Sequence, residues 1–142
     1  MSDLITWLRA QLDEDERVAR EATSGPWRYN PAKVWHLPAD LPTRRNGEEF
    51  VGAGPLDATV GVAATGPADH PQSMADARYI ARHHPARVLA EVEAKRRILD
   101  EIEAEHGACL GEGCVPADTD HIVRLLALPY ADRPGYLEEW RP

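Results

Sequence analysis

Glu49-Phe50-Val51-Gly52-Ala53, then Gly54-Pro55-Leu56-Asp57, then Ala58-Thr59-Val60-Gly61-Val62-Ala63-Ala64: this stretch decides the fold. In its second half Val60, Val62 and Ala64 alternate with Thr59, Gly61 and Ala63, the period of two that a half-buried strand requires. Phe50 and Val51 mark the first half, and the Gly-Pro-Leu-Asp segment between them reads as a hairpin turn. Strands are therefore expected near 49–53 and 58–64. Upstream, Trp27, Tyr29, Val34 and Trp35 are residue types that fit a pleated surface, which predicts an extended segment near 26–37. With the hairpin it completes a small three-stranded antiparallel sheet.

Helices flank that sheet on both sides. Before it, Leu4, Ile5, Leu8 and Leu12 recur at spacings of three to four, and Ala19 and Ala22 continue the stripe, so a helix is expected over 1–22 with Ser2 or Asp3 as its cap. The charged run Asp13-Glu14-Asp15-Glu16-Arg17 interrupts the stripe and reads as a solvated face, with a docking surface for a basic partner as the rival reading. Thr23-Ser24-Gly25-Pro26 ends this helix, Gly25 being suited to a left-handed cap. After the sheet, Ser73 with Asp76 resembles a capping box and opens a helix over 73–84. Pro85 then starts the longest helix, over 85–105, whose buried side carries Val88, Leu89, Val92, Leu99 and Ile102. Glu91–Lys95, Glu93–Arg97 and Arg97–Glu101 are spaced to support it, and Gly107 ends it. Lys95 inside the stripe leaves a long coiled coil poorly specified. A last helix over 118–128, stopped by Pro129, leads into a tail with Tyr130, Tyr136, Leu137 and Trp140, too aromatic to leave unpacked. The expected class is α+β. The expected organisation is a single domain over 1–142, with the sheet at 26–64, a helical pair at 73–106 and the C-terminal helix and tail at 118–142.

The composition narrows the function. The chain has 142 residues, 16 Lys+Arg against 24 Asp+Glu, a net charge of −8 and 43% hydrophobic residues. That is ordinary for a folded domain, and the acidic balance opposes direct nucleic-acid binding, which needs a basic face. No run approaches the roughly 18–20 apolar residues that span a bilayer. Met1 is followed by no basic-then-apolar leader, so no membrane is implied and a cytoplasmic location is expected.

The chemistry-bearing residues were weighed singly. His106, Cys109, Cys114 and His121 combine the thiolate and imidazole ligands that zinc prefers, so a zinc-stabilised module is one reading, although the spacing fits no standard finger. Unremarkable thiols beside exposed histidines are the plainer one. Trp27, Trp35 and Tyr29 could line a small-molecule groove or simply fill core. His83 and His84 sit at a helix corner, and Asp69-His70 in a loop. There is no G-x-S-x-G, P-loop, G-x-G-x-x-G or H-E-x-x-H, so no assembled catalytic set is visible and an enzyme is not expected.

Longer blocks carry a resemblance. A-T-S-G-P-W at Ala22–Trp27 and D-A-R-Y-I-A-R-H-H-P-A-R-V-L-A at Asp76–Ala90 resemble the Ead-like early-region proteins of bacteriophages, in which Pro is usual where Ser24 stands. W-L-R-A-Q-L-D-E-D-E-R at Trp7–Arg17, H-P-Q-S-M-A-D-A at His70–Ala77, E-A-K-R-R-I-L-D at Glu93–Asp100 and R-L-L-A-L-P-Y-A-D-R-P at Arg124–Pro134 resemble an actinobacterial family, domain of unknown function 6221. The resemblance covers nearly the whole chain. It implies a phage-derived or accessory cytoplasmic protein of GC-rich bacteria and supplies no catalytic residues. The function expected is a non-enzymatic protein-interaction module whose partner is a protein, with self-association also open. Imitation of nucleic-acid charge by the acidic helix face is a narrower form of it.

Overall fold

The computed structural model describes residues 1–30, 47–55, 59–108 and 118–142. In chain order these form α1 (Ser2–Glu21), β1 (Trp27–Asn30), β2 (Glu48–Ala53), β3 (Val60–Pro67), α2 (Pro71–Arg82), α3 (Pro85–Ala108) and α4 (Thr119–Ala127). Two 3-10 turns follow, Leu128–Tyr130 and Glu138–Trp140. The class is α+β, as the alternation in β3 and the helical stripes require. The described chain divides into two compact units: Met1–Arg17 with Leu89–Pro142, and Val18–Val88.

The first unit is helical. Leu4, Ile5, Leu8 and Leu12 of α1 are buried, as are Val92, Leu99 and Ile102 of α3, Val123 and Ala127 of α4, and Tyr130. Each fully buried leucine contributes about 1.5–3 kcal/mol relative to exposure. The acidic run of α1 stays at the surface, with Asp13, Glu14 and Arg17 exposed and Asp15 and Glu16 half-buried, and its carboxylates meet arginines. Arg96 binds Asp13 at 2.6 Å and Glu16 at 2.5 Å, and Arg133 binds Asp15 at 2.6 Å. Arg9 in turn reaches Asp100 at 2.7 Å and Glu103 at 2.6 Å on α3. The aromatic tail packs back as expected: Trp7 Nε1 donates to the Pro134 carbonyl at 3.1 Å, and the Trp7 ring lies 5.5 Å from Tyr136 and 5.6 Å from Trp140. Gly135 permits this closeness, with φ +87° and room for no side chain, since a Cβ there would stand 2.9 Å from Trp7 Nε1.

The second unit is the sheet with α2. Strand order is β1-β2-β3, antiparallel throughout, with Trp27 opposite Ala53, Asn30 opposite Phe50, and Phe50 opposite Ala64. Bulges fall between Glu49 and Phe50 and between Val51 and Gly52. Val51 is fully buried, and α2 packs against all three strands through its buried Ser73 and Ala77.

Several boundaries differ from the sequence reading. β1 is described to Asn30, and the rest of the extended segment expected near 26–37 lies outside the described residues, as does part of the hairpin turn. β3 runs three residues past Ala64, because Gly66 and Pro67 still pair with Glu49 and Glu48 of β2, Thr65 being the bulged residue between. Ser73 does not cap α2: the cap is His70, without a side-chain bond, and Pro71 takes the first helical turn, where its missing N–H costs least. Gly25 is not a left-handed cap, since among the described residues the positive-φ glycines are Gly54, Gly66 and Gly135. α3 continues through Gly107 to Ala108, one glycine being too weak a break to stop a helix this long. Of the expected pairs on α3, Glu93–Arg97 forms at 2.9 Å, while Lys95 turns inward and donates to the Tyr130 hydroxyl at 2.9 Å.

Candidate functional site

The strongest candidate lies in the second unit, where β3 borders the sheet beside α2. Its frame begins with Glu49, a carboxylate of β2 that is only 1% exposed, beside the exposed Glu48. A buried carboxylate must have its oxygens bonded. Here Tyr29 Oη donates to Oε2 at 2.9 Å, and the Asp69 backbone N–H donates to Oε1 at 3.0 Å. Burial, and then the bond to Glu49, push the Tyr29 phenol up to about 12. The Arg78 guanidinium stands 5.3 Å over the Tyr29 ring and covers the cluster from α2.

The β3–α2 connection is fixed from its other side. Thr65 Oγ1 donates to the Ser73 carbonyl at 2.7 Å and also lies 3.3 Å from the Glu49 carbonyl. Gly66 has φ +130°, and a Cβ there would stand 2.5 Å from Ser73 Oγ, so only glycine fits. Asp69 turns the chain at φ +60°, with its N–H held by Glu49. Strand, turn and helix start are thus locked together.

What the frame presents is a strand edge. β3 has eight residues, Val-Gly-Val-Ala-Ala-Thr-Gly-Pro, without a charge among them. It is the last strand of the sheet, and among the described residues no strand pairs with its outer side. Val60 is 56% exposed. Two hollows flank it: one of about 200 Å³ lined by Glu48, Phe50, Gly61, Val62, Ala63 and Ala64, and an open groove of about 420 Å³ lined by Ala64, Thr65, Asp76, Tyr79 and Ile80. Tyr79 is 67% exposed and stacks on His83 with ring centroids 4.2 Å apart.

The residues singled out in the sequence fall elsewhere. Cys109 and Cys114 lie outside the described residues. His106 ends α3 with Nδ1 3.1 Å from the Ile102 carbonyl and Nε2 3.5 Å from Thr119 Oγ1, and the His121 backbone N–H donates to Asp118 at 3.3 Å. Among the described residues no three His, Cys, Asp or Glu side chains gather to hold a metal ion. Trp27 opens β1 and donates to the Thr23 carbonyl at 2.7 Å, while Trp35 lies outside the described residues, so the Trp27/Trp35 groove is not among the geometry on view. The sequence reading passed over Glu49, Asp76 and Tyr79. For Glu49 a usable signal was present, a carboxylate directly preceding Phe50-Val51 in a strand.

Comparison with known proteins adds a family. A model described as a family of unknown function, DUF6221, matches residues 1–142. No curated protein and no solved structure matches the chain.

Proposed function

The chain belongs to the DUF6221 family of unknown function, and within it we propose a non-enzymatic protein-interaction module, an accessory protein working in the cytoplasm of GC-rich bacteria. One observation carries this reading: a rigidly framed, uncharged sheet edge of eight residues with apolar side chains left in water. Proteins ordinarily blunt such edges, because an open row of backbone donors and acceptors recruits another chain. The likeness of Ala22–Trp27 and Asp76–Ala90 to phage early-region proteins supports an accessory role of this kind. Among the described residues no helix is long and apolar enough to cross a membrane.

Site-specific photo-crosslinking in the producing cell tests it. A photoreactive side chain is placed at Tyr79 in the second unit, at Leu125 in the first, where Ile122, Leu125 and Leu128 also form an exposed apolar row, and at the exposed Glu93 as control. A discrete protein adduct from Tyr79 or Leu125 and none from Glu93 is the expected result. Adducts from none of these positions would sink the reading.

A further inference from the structure

We propose that the outer edge of β3, with the groove beside α2, receives an extended basic-and-aliphatic segment of a partner protein as a fourth strand. This rests on the interaction-module reading and names the mode and chemistry of the partner.

The two edges of the sheet make the case. β1, the other border strand, carries Arg28 within its described residues Trp27–Asn30, a charge of the kind that discourages further pairing. β3 is eight residues long and uncharged, and Pro67, the one residue of it lacking an N–H donor, stands at its last position. In an antiparallel ladder a strand turns alternate residues' N–H and C=O groups to each side, so half of β3's backbone groups face away from β2. Water satisfies this row in the free chain, and an extended backbone matches its repeat where a helix or a base stack does not. A helix packed beside an edge strand adds side-chain selection, because alternate residues of an incoming strand point into the space between them. Here that space is the 420 Å³ groove, and its walls of Ala64, Tyr79 and Ile80 suit an aliphatic side chain.

Charge then chooses the occupant. Among the described residues the groove is lined by one charged side chain, Asp76, and the neighbouring hollow by one, Glu48; both are carboxylates and both are exposed. Lys or Arg in the incoming segment meets them favourably. A second copy of β3 is excluded on the same ground. Its Val-Gly-Val-Ala-Ala-Thr-Gly-Pro sequence has no cation to offer, and two-fold pairing would bring a second Asp76 and Glu48 to an already acidic edge.

The test selects a random linear-peptide display library against the full chain, then studies the enriched peptides as synthetic molecules. Enriched sequences alternating Lys or Arg with Val, Ile or Leu are expected, and bound peptide should protect alternate amides of β3 from hydrogen exchange. N-methylation of alternate peptide amides should weaken binding at least roughly tenfold, since several backbone bonds are lost while the side chains stay. Asp76→Asn and Glu48→Gln, both exposed and apart from the Glu49 cluster, should each weaken it up to about fivefold and flatten its salt dependence. Acidic or featureless enriched peptides, indifference to N-methylation, or protection outside β3 would each overturn the proposal. So would concentration-dependent dimerisation that protects the same amides, which would make a second copy the occupant. If photo-crosslinking succeeds from Leu125 alone, the interaction module stands and the fourth-strand inference falls; if it fails everywhere, both fall.

Discussion

The two units of this chain hold their carboxylates in opposite ways. In the first, Asp13, Asp15, Glu16, Asp100 and Glu103 stand at the surface of an aliphatic interior, each against an arginine. In the second, one carboxylate lies inside, with a phenol and a backbone amide as its partners and Arg78 over that phenol. Exposed ion pairs contribute only about 0–1 kcal/mol each, whereas removing the acceptor from buried donors costs the full desolvation of each donor. A net charge of −8 therefore says little about where a partner binds. Much of the acidity is matched within the first unit, and the hollows beside β3 carry two carboxylates, Glu48 and Asp76.

The largest effect should come from the first unit's interior. Leu8 is fully buried, and Leu8→Ala should cost about 2–5 kcal/mol, read as a lowered midpoint in urea denaturation. A loss below about 1 kcal/mol would mean that the leucine stripe is not what holds that unit together.

Glu49→Ala should come next, at about 2–3 kcal/mol, because Tyr29 Oη and the Asp69 N–H both lose their acceptor. Glu48→Ala is the matched control: its neighbour in sequence is exposed, and its removal should change stability by less than about 0.5 kcal/mol. Equal costs for the two would erase the contrast between the units.

That contrast was only partly legible in the sequence. The leucine spacing of α1 announced its helix directly, because burial of one face imposes that period, whereas the period of two in Val60–Ala64 marked a strand whose apolar residues stay half-buried or exposed. The pairing of Arg96 with Asp13 and Glu16 was not legible. It spans about 80 residues, and local composition reads the same whether a charge meets water or a distant arginine. Ser73 misled for a similar reason. A serine followed by Asp three residues later satisfies the local rule for a cap, yet Pro71 starts the helix earlier and leaves Ser73 buried. The edge itself was hidden because strand order is a tertiary property: the runs Phe50–Ala53 and Val60–Ala64 look alike in sequence, and only pairing on both sides of β2 makes β3 the outer one.

Two glycines of β3 sharpen the comparison within the second unit. Gly66→Ala forces a side chain at φ +130° and against Ser73 Oγ, and should cost about 1–3 kcal/mol. Gly61→Ala meets nothing within 4 Å, so it should be neutral or stabilising by up to about 1 kcal/mol through the unfolded chain. Thermal melts of the two variants check this. A Gly61→Ala cost matching that of Gly66→Ala would mean that the outer part of β3 is as confined as the turn, leaving no open strand for a partner.

The smallest effect concerns proton binding at the buried cluster. The Tyr29 phenol is raised in the folded chain to about 12 from an ordinary value of 10.0, first by burial and then by its bond to Glu49. A raised value means that the folded state holds the proton more tightly than the unfolded chain does. The associated stability is therefore fully present below pH 10 and is lost as pH rises towards 12. Urea titrations at successive alkaline pH values should show wild type losing stability across that window more steeply than Tyr29→Phe, which has no proton to release. Every other group is common to both proteins, so the difference between the two curves isolates Tyr29. Parallel curves would mean that the folded chain holds the phenol proton no more tightly than the unfolded chain does.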